Sequence, residues 1–136
     1  MTYPELLKRY RDKHGPLVRP ASLDSSLHLA FSIGLARSFI NAGTYNPASR
    51  LPSGAKSDHA VYPAMAFDLR RKRWTGLFGY GYWAARRLAD LYAENAYALN
   101  IEYVIVGRRI WSRSKGWHTY DSDRSHDWHI HVSGLR

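Results

Sequence analysis

The chain contains no cysteine, which excludes disulfides and thiolate-held metals, so any metal here is bound by His, Asp or Glu. No apolar run reaches the length of a membrane span, and the opening residues Met1-Thr2-Tyr3-Pro4-Glu5 are too polar for a signal peptide. The expectation is a protein made without an export signal and without a membrane partner. Acids are scarce: 11 Asp and Glu stand against 20 Lys and Arg, for a formal net charge of +9. That excess points to an anionic partner, either nucleic acid or an acidic polymer such as a bacterial cell wall. The clustered acids that magnesium-dependent nucleases need are also missing. Repeats and low-complexity tracts do not occur. What is present is 136 residues, 45% of them hydrophobic and 14% aromatic. This suffices for one packed core and is too short for two comfortable ones.

Read in order, Pro4 to Lys13 is a short amphipathic helix with Leu6, Leu7 and Tyr10 inward, ended by Gly15-Pro16. A second, largely buried helix is expected from the N-cap Asp24 to about Ile40, with Asn41-Ala42-Gly43 as its stop. His28 within it reads as a core-edge or surface histidine. Gly43 to Ser57 is a polar loop with two prolines, of a length that often borders a site. Arg50 in this loop is a candidate substrate contact. Residues 64–69 alternate as a strand, with Ala64, Ala66 and Asp68 on one face and Met65, Phe67 and Leu69 on the other. The basic run Arg70-Arg71-Lys72-Arg73 reads as a solvated turn, or else as a phosphate contact. A third helix is expected over about Tyr82 to Leu99. Ile101 to Val106 is rich in β-branched residues and is a strand, and Gly107 turns it into Ile110-Trp111-Ser112. Residues 113–125 read as a polar loop whose His118 is a second candidate substrate contact.

The most informative stretch is His126-Asp127-Trp128-His129-Ile130-His131, which holds three of the seven histidines. Residues two apart on a strand share a face, so His129 and His131 project together, with Trp128, Ile130 and Val132 toward the core. A catalytic zinc site needs a third protein ligand. His59, delivered by the long loop, and Asp68 on the following strand offer the donor types that suit zinc. The expected architecture is α+β: a small, mostly antiparallel sheet packed with about three helices. A single domain is expected over residues 1–136, with a helical N-terminal part at 1–43 and the metal-site core at 55–135.

Three blocks of this sequence together carry a likeness. They are Ser57-Asp58-His59 with Ala66-x-Asp68, then Arg109-Ile110-Trp111-Ser112 with Gly116-Trp117, and Asp123-Arg124-Ser125-His126 running into His129-Ile130-His131-Val132-Ser133. This pattern resembles the zinc peptidases of the lysostaphin, D-Ala-D-Ala carboxypeptidase and Hedgehog group, which includes bacteriophage cell-wall endopeptidases. The resemblance covers about residues 55–135. It implies one zinc ion per chain on His59, Asp68 and His131, with His129 as general base or transition-state stabiliser and His126 as an additional active-site histidine. It further implies hydrolysis of stem-peptide or cross-bridge bonds in peptidoglycan, by an endolysin-like monomer acting at the wall through phage lysis or a virion. The family's SxHxxGxAxD motif has six residues between His and Asp, whereas eight intervene here. Residues 60–64 must therefore bulge for Asp68 to reach the metal, and Asp58 is the weaker substitute.

Two other classes stay open at this stage. One is a non-catalytic wall-binding or virion structural protein on a degenerate peptidase fold. The other, favoured by charge alone, is a basic nucleic-acid-binding protein or nuclease, although the peptidase reading expects no nucleic acid. His131-Val132-Ser133 also fits the element of two-histidine phosphodiesterases, but those need two such elements and there is no second.

Overall fold

A computed structural model describes residues 1–121 and 124–136; Asp123, in the stretch that carries the resemblance, lies outside them. The helices are α1 (Tyr3–His14), α2 (His28–Ala36) and α3 (Tyr82–Glu94). The strands are β1 (Phe39–Gly43), β2 (Ala66–Arg71), β3 (Ile101–Val106), β4 (Arg109–Ser112), β5 (Gly116–Thr119) and β6 (Ile130–Gly134). They form one sheet of order β1-β2-β6-β3-β4-β5, in which every neighbouring pair is antiparallel. The α+β class and the antiparallel sheet are as expected. No helix among the described residues is long and apolar enough to cross a membrane.

The two faces of the sheet have different chemistry, and alternation explains why. Phe67, Leu69, Val104, Val106, Ile130 and Val132 are fully buried and share a cluster with residues of all three helices, among them Tyr10, Phe31, Leu88 and Tyr92. The residues between them, Asp68, His131 and Ile105, form a row across β2, β6 and β3 on the other face. One face makes the core and the other is free to carry the histidines. The helices must come close to the sheet: a Cβ on Gly34 would lie 2.2 Å from Leu69 Cδ1 and 2.7 Å from the Tyr92 hydroxyl.

Several boundaries differ from the sequence expectation. The helix expected to run to Ile40 is a 3-10 turn, Ser25–Leu27, followed by α2, which stops at Ala36. Arg37 and Ser38 close its last carbonyls, and Ser38 takes a left-handed φ of 68° that redirects the chain. Phe39 and Ile40 then pair with Arg71 and Arg70, so two members of the basic run are strand residues and not a turn. Phe39 is buried as expected, but from a strand. The third helix ends at Glu94 because Asn95 bonds back to the Leu91 carbonyl and residues 95–100 form turns. The loop expected at 113–125 contains β5, which pairs Trp117 with Trp111 and places His118 on a strand. Trp128 is not in the core: it precedes β6, after a 3-10 turn at Arg124–Asp127, and is 52% exposed.

Candidate metal centre

Each member of the site arrives by a different local device. Ser57 caps the short 3-10 turn Asp58–Ala60, its hydroxyl accepting from the His59 amide, and thereby fixes where the His59 ring starts. The longer His59-to-Asp68 spacing is absorbed by bends at 61–63 and by Ala64, whose amide donates to the Ser22 carbonyl while its own carbonyl accepts from Asp24. This is the bulge the spacing demanded. Asp68 then enters on β2 directly opposite His131 on β6.

The three side chains converge. Asp68 Oδ1 is 3.3 Å from His59 Nε2 and 3.0 Å from His131 Nδ1, and the two ring nitrogens are 3.2 Å apart. Ligand atoms of all three lie within 4.8 Å of one another, and the group could hold a metal ion. The second nitrogen of each ring has a partner of its own. His59 Nδ1 donates to the Thr44 carbonyl at 2.6 Å, leaving Nε2 as a lone pair toward the cluster. His131 Nε2 lies 2.7 Å from Ser133 Oγ, and donation there leaves Nδ1 as the inward lone pair. Two imidazole lone pairs and a carboxylate oxygen thus face a common point, an arrangement that repels itself unless a cation or a shared proton sits between them.

The charges respond accordingly. Without a cation, protons on the inward nitrogens take its place: burial opposes ionisation of Asp68, but hydrogen bonds from His131 and His59 and their charge then outweigh it and hold the carboxyl well below its usual range. For His59, burial lowers the pKa, while Asp68, through hydrogen bond and charge, and the Thr44 carbonyl raise it by more, so the net shift is upward. Asp58, the alternative ligand, is engaged elsewhere: Arg136 Nε donates to it at 2.6 Å.

His129 and His126 border this cluster. His129 Nε2 is 3.7 Å from Asp68 Oδ1, and its ring is 4.7 Å from that of His126, measured between centroids. His126 is buried, and its carbonyl accepts from the Gly107 amide in the β3–β4 turn. His129 lies one residue before β6 and not within it. An open cavity of about 480 Å³ contains His59, Asp68, His126, His129 and His131 in its wall, with Arg50, Tyr103 and Tyr120 around them. Arg50 Nη1 donates to the carbonyls of Pro47 and Ser49, so the guanidinium is held along its own loop at the cavity wall.

His118 is not brought to this cavity. It shares the row of Asp68 and His131 through Ile105 and Ile110, yet it is three strands from His131, about 14 Å at ordinary strand spacing. Its Nδ1 donates to the Gly116 carbonyl. His28 is a core-edge residue as expected, bonded through Nε2 to the Pro20 and Leu23 carbonyls.

Three contributors have no role at the site in the sequence reading. Ser133 is one that strand alternation could have found, being two residues after His131. Tyr103 stacks on His131 with centroids 5.5 Å apart, but only the β3–β6 register reveals it. Burial raises the Tyr103 phenol pKa, against the opposing hydrogen bond with Ser133. Thr44 acts through its backbone carbonyl, which leaves no mark in a residue pattern. Compared with models of known families, with curated proteins and with solved structures, the chain matches none of them.

Proposed function

We propose that the protein is a zinc-dependent peptidase that cleaves peptide bonds in bacterial peptidoglycan. The observation that carries this reading is the set of separations among His59, Asp68 and His131, 3.0 to 3.3 Å. Bonds of about 2.0–2.1 Å to a tetrahedral zinc ion place neighbouring ligand atoms about 3.3–3.4 Å apart. Two neutral imidazoles and one carboxylate also match the hydrolytic type of zinc site, in which a fourth position stays open.

Zinc, when bound, supplies a Lewis acid for the scissile carbonyl and for water. The remaining work falls to the chain itself. His129 borders the ligand set without belonging to it, and takes a proton from the attacking water and returns it to the leaving amine. His126, packed against His129, orients that ring. A single carboxylate among the ligands leaves the centre net positive, which favours an oxyanion in the transition state. The open cavity admits a peptide branch, and the net charge of +9 suits an acidic wall as the partner.

The test is incubation of the purified protein with purified peptidoglycan of several wall types, with and without a zinc chelator, followed by mass spectrometry for new amino termini. New termini that vanish with chelator identify both the peptidase and its bond. No cleavage of any wall by protein confirmed to carry zinc would shift the reading to a non-catalytic wall-binding role.

A further inference from the structure

The basic run Arg70–Arg73 has no part in the histidine cavity, yet one of its members belongs to a second cavity on the other side of the sheet. Arg71 is paired with Phe39 across β1 and β2, one position out of phase with Asp68, so it lies on the helix-covered face. There a cavity of about 270 Å³ opens between the end of α2, the start of β1 and the first half of α3. Its wall consists of Arg37, Ser38, Phe39, Arg71, Ala84 and Arg87: three arginines and no acid. Among the described residues, none of the three forms an ion pair with a carboxylate. Asp90, one turn beyond Arg87 on the same helix, is not paired with it either.

We infer that Arg37, Arg71 and Arg87 form a binding site for a phosphate-bearing anion. Arg71 is already held in place: its guanidinium lies 5.4 Å from the Phe39 ring centroid, and its Nη1 donates to the Arg37 carbonyl at 3.5 Å. Capping the end of α2 explains Arg71 by itself. It does not explain why the exposed Arg37 and Arg87 line the same hollow, where like charges repel and, among the described residues, no carboxylate is paired with them. A carboxylate presents its two oxygens in one plane, whereas a tetrahedral phosphoryl group presents oxygens in several directions, to several guanidinium forks at once. The apolar floor of Phe39 and Ala84 suits the carbon side of a phosphate ester. This site is on the face opposite the histidines and stands or falls independently of the peptidase reading.

The test uses the full chain labelled at arginine Nε, at constant pH and ionic strength, titrated with inorganic phosphate and separately with dimethyl phosphate. Saturable one-to-one binding is expected, with shifts confined to the Nε–H signals of Arg37, Arg71 and Arg87. The double variant Arg37→Gln/Arg87→Gln is expected to bind about tenfold more weakly or not at all. Arg9→Gln/Arg11→Gln removes the same charge from exposed positions on α1 and is expected to leave the affinity unchanged. Stronger binding of inorganic phosphate identifies a monoester or free phosphate as the source, and comparable binding of dimethyl phosphate identifies a phosphodiester. Absence of saturation in the unmodified protein, or equal weakening in both double variants, overturns the site in favour of diffuse attraction to a basic surface.

Discussion

Ser133 Oγ lies 2.7 Å from His131 Nε2, and by accepting the Nε2 proton it leaves Nδ1 as a lone pair beside Asp68, the form a metal ligand takes. Without it the ring is free to put a proton on Nδ1, the atom 3.0 Å from the carboxylate. Partners of this kind behind a ligand are typically worth about 10–100-fold in metal affinity. Ser133→Ala is therefore expected to weaken zinc binding by about that factor, and Ser133→Thr to restore most of it. Competition against a chromophoric chelator reads this directly, whether or not any substrate is known.

Asp68 supplies the only carboxylate of the ligand group. Asp68→Asn keeps the shape and removes the charge, so zinc retained after dialysis is expected to drop from one equivalent toward none, together with any hydrolysis. Elemental analysis of the dialysed variant checks the metal. Full zinc retention would mean that the ion is held by other residues.

The metal-free protein has a pH signature. His59 has its pKa raised on folding, so its contribution to stability is complete below its unfolded value of 6.5 and is lost as pH climbs through the raised value. Asp68 has its pKa depressed, so its contribution is present above its unfolded value of 3.8 and is lost as pH falls below it. Between those limits the cluster stabilises the fold most. Denaturant titrations of chelator-treated protein are expected to show stability falling above pH 6.5, and His59→Ala is expected to flatten that alkaline limb. An alkaline limb of the same slope in the variant would assign it to another group.

The helix side offers a packing test. Gly34 faces Leu69 and Tyr92, whose hydroxyl donates to the Ala30 carbonyl at 2.6 Å in a fully buried position. A methyl group at 34 must displace both of them, and overpacking of this kind costs about 1–3 kcal/mol. Gly34→Ala is expected to lower the denaturation midpoint accordingly, even though alanine is the better helix former.

These sites show what a sequence can and cannot display. Strand β3 was readable to the residue because its β-branched run is a local property, and so was the alternation that separates Ile130 and Val132 from His131. The end of α2 was not. Phe39 and Ile40 continue an apolar pattern that suits either a helix or a strand, and only pairing with Arg71 and Arg70 decides it. Strand β5 was hidden for the same reason, since Gly116–Thr119 is a strand through its pairing with β4. His59, Asp68 and His131 could be named from donor chemistry and likeness, but the Thr44 carbonyl and the Tyr103 ring reach them through tertiary register alone.

His129 separates binding from turnover. Its Nε2 lies 3.7 Å from Asp68 Oδ1, beside the His59–Asp68–His131 group but outside it. A ligand and a proton-transfer residue respond differently to truncation: loss of a ligand empties the site, whereas loss of the base leaves it filled and slow. His129→Ala is thus expected to keep its equivalent of zinc while peptide hydrolysis falls by about 10²–10⁴-fold, the usual contribution of a positioned general base. The rate should fall in kcat more than in KM, because the imidazole acts on the reacting proton and contributes little to holding the substrate. Zinc content and steady-state kinetics measured on one preparation decide the matter. Joint loss of metal and activity would make His129 a ligand, and unchanged kcat with zinc in place would move the proton-transfer role to His126.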